Sequence, residues 1–303
     1  MPAAELDAEP VFPSADQLGE GPVWLGGHGL LAWVDILGGV LHLGRPGART
    51  TRDIDLGEHL SAVVPTTDDD VLLAAIRSGL ATVHVPSGSV TPLWPGPWAT
   101  DVRPNETKCG PDGTLWLGTL TDAEAPGTGA LYRIDPGLRA TTVFTDLTIP
   151  NGMDWRDGGP MLFTDTVTGR VDEVQLAGDG TVESRRPFLA TAPPGVPDGL
   201  TLDGDGGLWV TMHGAGEVRR YGPDCRLQTV VRVPTPSVTS CAFGGDDRRT
   251  LFVTTARSLA APGDVHAGPV YACRPGPRGR AAFAFAPDTA GYRRLRPPPD
   301  RGS

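Results

Sequence analysis

Residues 196–210 read VPDGLTLDGDGGLWV: a Pro-Asp-Gly start, a short alternating apolar stretch, a glycine-rich turn, and a second apolar run anchored on Trp209. Asp-Gly ahead of an alternating run is a hairpin signal, because glycine adopts positive φ at no steric cost. Runs of the same kind recur along the chain: LAWVD around Trp33, LLAAI around Ala74, TLWLG around Trp116, MLFTD around Phe163 and TLFVT around Phe252. Taken in order with Trp209, the six anchors lie 41, 42, 47, 46 and 43 residues apart. A period of about 40–50 residues, built of short strands and turns, predicts an all-β chain folded as a six-bladed β-propeller, one blade per repeat. The repeat places the anchors at equivalent strand positions of their blades.

The unbroken repeat favours one domain across residues 1–303, although 303 residues could hold two. The 41 Gly and 31 Pro suit many tight turns. A propeller must close on itself, and Glu9–Phe12 is the segment expected to lend a strand to a last blade built from Pro269–Cys273 and Ala281–Ala286. The Pro- and Arg-rich tail from Tyr292 reads as frayed. A net charge of −10 argues against nucleic acid, which needs a basic face. No apolar run has the length of a membrane span, and MPAAELDAEPVFPS has no signal-peptide core, so a cytoplasmic location is expected. Cys109, Cys225, Cys241 and Cys273 lie far apart without a CxxC pair and read as free thiols. The run DGDGG at 203–207 lacks the remaining ligands of a calcium loop and reads as a turn.

Counting back from the anchors exposes the chemistry. Glu20 lies 13 residues before Trp33, Asn105 11 before Trp116, Asn151 12 before Phe163 and Asp198 11 before Trp209. Side chains at one phase of a radial repeat point to a common axis, so four oxygen-bearing groups are expected to converge on the channel. Glu20, Asn151 and Asp198 are each followed by Gly, and Pro precedes Asn151 and Asp198. Proline fixes the approach of the backbone and glycine lets it turn away. Asn-Gly and Asp-Gly are also the commonest turn dipeptides, but four in phase are hard to ascribe to turns. A Glu, an Asp and an Asn carbonyl form an all-oxygen set suited to Ca²⁺ first, then Mg²⁺ or Mn²⁺. Zinc, the remaining alternative, prefers His and Cys, and none of the six histidines has metal-ligand spacing. Nucleophile motifs such as GxSxG are absent, as is GxGxxG.

LGEGPVW (18–24), RPN (103–105) followed by PDGTLW, IPNGMDW (149–155), VPDGLTLDGDGGLWV and VTSCAFGGDDRRTLFVTTA (238–256) together resemble the senescence marker protein-30/gluconolactonase/luciferin-regenerating enzyme family, in order over about residues 16–256. The resemblance implies a six-bladed propeller with one divalent metal in its channel and hydrolysis of sugar lactones. By motif, Glu20, Asn151 and Asp198 correspond to metal ligands, Asp198 also to the general base, and Arg103 and Asn105 to substrate contacts. Where family members often carry Asp, Glu106 follows Asn105. Glu124, in the short AEAPGTGALY (123–132), is the residue placed to act as an acidic lid contact, and His213 the one placed to line the channel mouth. Lys108 reads as a structural partner of a nearby carboxylate. The activity expected is hydrolysis of a gluconolactone-like aldonolactone. The alternatives are an ester or phosphotriester hydrolase on the same metal, a non-enzymatic calcium-binding scaffold and, remotely, a strictosidine synthase-like propeller.

Overall fold

The structure, a computed structural model, describes residues 2–48 and 50–287. It is an all-β, six-bladed propeller. The first strands of the blades are Gly19–Leu25, Leu60–Pro65, Val102–Cys109, Pro150–Trp155, Val196–Leu202 and Val238–Gly244. Successive first strands touch one another in a closed ring, so they line the central channel. Each is followed outward by Leu30–Asp35, Val71–Ile76, Leu115–Thr121, Met161–Asp165, Leu208–His213 and Thr250–Thr255 in turn. Among the described residues the one helical element is a 3-10 turn at Thr166–Thr168.

All six anchors fall on these second strands, but at two neighbouring registers. Trp33, Ala74 and Phe163 share one position, and Trp116, Trp209 and Phe252 sit one residue earlier. The expectation of a single equivalent position is therefore corrected. Adjacent strand residues face opposite sides of a sheet, and a blade is buried on both sides. An aromatic on either face therefore fills an inter-blade layer. Trp116 and Phe163 meet between blades 3 and 4, and Phe252 and Trp33 meet between blades 6 and 1. Ala74 packs with Ala32 and Val34 between blades 1 and 2, and Trp209 packs edge-on against Phe243 of blade 6.

Closure uses the amino-terminal strands, as the sequence suggests, with one addition. Glu9–Phe12 pairs antiparallel with Val270–Cys273 in blade 6, and just before it Ala4–Asp7 pairs parallel with Leu227–Arg232 in blade 5. Ala281–Ala286 does not join the last blade. Residues 278–286 instead cross the end of the channel where the first strands finish. Gly204 N–H donates to Arg278 O on blade 5, Arg280 pairs with Asp154 and Asp157 on blade 4, and Phe285 bridges to Thr66 on blade 2. This strap borders a cavity of about 470 Å³ that also touches Trp24, Glu106, Lys108 and Phe243.

The DGDGG run is a turn. Asp203 accepts the Asp205 and Gly207 N–H groups and is braced by Trp209 and Arg220. The four cysteines are free, Cys109 and Cys241 buried and Cys225 and Cys273 half-buried. Among the described residues no helix is long and apolar enough to cross a membrane. The expected frayed tail from Tyr292 lies outside the described residues.

Candidate functional site

Each first strand is interrupted near its start, and the interruption aims the site. In five blades two residues face one across the ladder: Gly21-Pro22 opposite Trp33, Asn105-Glu106 opposite Gly118, Asn151-Gly152 opposite Thr164, Asp198-Gly199 opposite Thr211, and Thr239-Ser240 opposite Thr254. Blade 2 is irregular too, with Ser61 left unpaired. A β-bulge re-aims a side chain away from the pleat. Glycine here is a steric requirement: a Cβ on Gly152 would lie 2.5 Å from Asp198 O, and one on Gly199 would lie 2.3 Å from Ser240 Oγ.

The residues so aimed tie four pairs of neighbouring blades together by hydrogen bonds. Ser61 Oγ donates to Pro104 O at 2.5 Å, and Asn105 Nδ2 donates to Pro150 O at 3.1 Å. Asn151 Nδ2 donates to Asp198 Oδ1, and Thr239 Oγ1 donates to Gly19 O at 2.5 Å. Ser61 and Thr239 lie 13 residues before Ala74 and Phe252. The same backward count finds them, but it passes over hydroxyls when it seeks only acids and amides.

Three of the expected residues come together in one buried patch. Glu20, Asn151 and Asp198 are all buried. Burial first, and then the negative charge of Glu106, push the Glu20 carboxyl up to about 8, against the Gly21 N–H that Glu20 accepts. The Asp198 carboxyl is likewise held well above the usual range, by burial first and then by Glu20 and Glu106. Among the described residues neither carboxylate has a basic side chain at ion-pairing distance; the nearest such pair on the ring is Lys108 with Glu106, at 3.8 Å. Buried charges are normally paired or bound to a metal. Two uncompensated carboxylates beside an amide are thus what a hard cation would satisfy, and the fit is good. Asn151 contributes as an amide, so no group of three His, Cys, Asp or Glu is present among the described residues. Its NH₂ now faces Asp198, and a half-turn exchanges NH₂ for Oδ1.

Arg103 and Asn105 flank this patch. Arg103 is buried, and its Nη1 donates to Asn105 Oδ1 at 2.9 Å and to Pro104 O at 3.1 Å. Burial lowers its pKa, opposed by the carboxylates of Glu124, Asp122 and Glu20. Glu124 stands exposed in the turn after Leu115–Thr121, with φ at 49°, on the mouth side of Arg103. His213 closes the Leu208–His213 strand at the channel end, and its Nδ1 lies 3.1 Å from Val238 O. The mouth also holds a group the sequence did not single out. Arg77 bonds both oxygens of Asp122, at 2.7 and 3.0 Å, and His59 Nδ1 at 2.8 Å. His59 lies two residues before Ser61, and that phase was the only signal available for it.

Residues 18–257 match the family model described as SMP-30/Gluconolactonase/LRE-like region. L-arabinolactonase of Azospirillum brasilense is 32% identical over 278 residues, covering 89% of this chain and 92% of the relative. Pentonolactonase XacC of Haloferax volcanii is 34% identical over 263 residues, covering 85% of this chain and 87% of the relative. The crystal structure of a calcium-binding protein, regucalcin, from Agrobacterium tumefaciens superposes with a TM-score of 0.87 at 26% identity, covering 94% of this chain and 99% of the other.

Proposed function

This chain belongs to the SMP-30/gluconolactonase/LRE-like family, and from that premise we propose that it is a carboxylic ester hydrolase that opens a sugar lactone to its aldonic acid, with one divalent cation held by Glu20, Asn151 and Asp198. The observation that carries this reading is the pair of buried carboxylates, Glu20 and Asp198, with no basic partner among the described residues. The names of two relatives put pentonolactones ahead of hexonolactones as substrates. The likeness to a calcium-binding protein puts Ca²⁺ ahead of Mg²⁺, Mn²⁺ or Zn²⁺.

When bound, the cation supplies Lewis acidity and a water of lowered pKa. The remaining work belongs to side chains. Asp198 accepts the proton of the water whose oxygen bonds to the lactone carbonyl carbon. The ring C–O bond then breaks, and the same proton passes from Asp198 to the departing ring oxygen. Arg103 is fixed by Asn105, which is itself tied to Pro150 O, so its remaining N–H groups are preset to meet sugar hydroxyls. Glu124 at the mouth is placed to accept from a distal hydroxyl. A purely calcium-binding propeller is the second reading, favoured by the regucalcin likeness.

The test is a panel of pentono- and hexonolactones with each divalent metal, wild type against Asp198→Asn. The amide can still coordinate but cannot accept a proton, so kcat should fall about 10³-fold with the metal still bound. Full activity in Asp198→Asn removes the proposed base. A wild type that opens no lactone with any metal leaves the second reading.

A further inference from the structure

One residue past the ring of Glu20, Ser61, Asn105, Asn151, Asp198 and Thr239, the first strands carry Gly21, Ala62, Glu106, Gly152, Gly199 and Ser240. Five are small or absent side chains, and the sixth is a carboxylate. Glu106 is 93% buried by area and lines the cavity that the strap borders. Among the described residues no hydrogen-bond donor meets the geometry for its oxygens. Its one ion-pair partner among the described residues is the Lys108 ammonium, at 3.8 Å.

Lys108 is the only lysine in the chain. Its Nζ donates to Leu200 O at 2.7 Å, reaching from blade 3 past blade 4 to blade 5. Leu200 follows Asp198 by two residues on the same strand, so the tether holds the ammonium under the strand that carries Asp198. The channel therefore stacks two carboxylate levels. The upper one, with Glu20 and Asp198, has no cation of its own, and the lower one, with Glu106, has a resident one. The charge of Glu106 reaches both upper carboxylates and pushes each away from ionisation.

We infer that Glu106 and Lys108 act as a paired positioning element that sets how tightly the upper level holds its divalent cation, with Lys108 cancelling a negative charge that would otherwise add to the site. This rests on the proposed cation site. Ion affinity rises with the negative charge gathered around the ion. Lys108→Met keeps the length of the side chain and leaves Glu106 uncompensated, so Ca²⁺ should bind about tenfold tighter. Glu106→Gln leaves the ammonium unopposed, so Ca²⁺ should bind about tenfold more weakly. The double variant is neutral like the native pair and should return close to wild-type affinity, as should Lys108→Arg.

Calorimetric titration of Ca²⁺ into the five full-length chains at pH 8.5 reads these shifts without any substrate. A merely structural strut predicts another pattern: every variant weaker and the double variant weakest. That pattern overturns the inference, as does a Lys108→Met chain with unchanged or lower affinity. If Lys108→Met fails to fold, Glu106→Gln and the double variant still decide, because weakening followed by restoration supports charge cancellation and its absence refutes it. Calcium binding that all five chains share equally overturns this inference alone. No binding by the wild type overturns the cation site and this inference together.

Discussion

The two carboxylate levels of the channel are built from the same strands, one residue apart, and they solve the same electrostatic problem differently. At the lower level a carboxylate meets a lysine supplied by its own strand two residues on, and the ammonium is tied to a backbone carbonyl on blade 5. At the upper level Glu20 of blade 1 and the amide-bonded Asp198 of blade 5 are both buried, with no basic side chain at ion-pairing distance among the described residues. A buried charge left in this way costs folding energy unless something satisfies it. A compensated level braces the structure; an uncompensated one is open to a ligand.

The largest expected break in this contrast comes from removing one upper charge. Glu20→Gln keeps the shape but deletes a carboxylate, and Ca²⁺ affinity should drop about a thousandfold, the roughly 4 kcal/mol of one close charge pair at an effective dielectric constant near 20. Calorimetry reads it, and an affinity within tenfold of wild type would contradict the ligand role. Next in size is the pH response of the ion-free protein. Folding raises the Glu20 carboxyl from an ordinary 4.5 to about 8. The folded state then binds more protons than the unfolded one across that window, so stability should fall as the pH rises through it. Calcium at a hundred times its Kd should add about 2.7 kcal/mol and raise Tm by roughly 5 °C, most visibly at the alkaline end. Thermal scans at pH 5, 6.5 and 8, with and without calcium, check both slopes; a flat ion-free profile would mean that the upper carboxylates are already compensated. The smallest effect belongs to Asn105, which braces Arg103 without a charge of its own. Asn105→Ala should leave Ca²⁺ affinity unchanged and raise KM about tenfold, with a lesser fall in kcat.

Much of this was legible in the chain because a radial repeat converts sequence phase into spatial direction. The backward count from the anchors brings Glu20, Asn105, Asn151 and Asp198 to one ring, and the need to close the circle points to Glu9–Phe12. Other features were hidden for identifiable reasons. Apolar runs mark a strand but not which face is inward, so the anchors divide between two registers. Hydroxyls carry no chemical signature in a string of letters, so Ser61 and Thr239 passed as ordinary strand residues. Glu106 and Lys108 are two apart on a strand, a spacing that says they share a face but not that the face is the channel or that the lysine reaches blade 5. The parallel pairing of Ala4–Asp7 and the path of residues 278–286 depend on contacts with distant blades, which no local pattern encodes.

The two-strand clasp sets a timetable for folding. Glu9 pairs with Ala272, a separation of 263 residues, and Ala4 pairs with Thr229. Both strands leave the ribosome well before the strands they pair with. At roughly 5–20 residues per second, the clasp waits tens of seconds with its backbone unpaired while the blades between are made. Contacts of such long range are slow to form, so ring closure is expected to be the late step in refolding. The interval before it is when the open edge of Val270–Cys273 is most exposed to pairing with another chain.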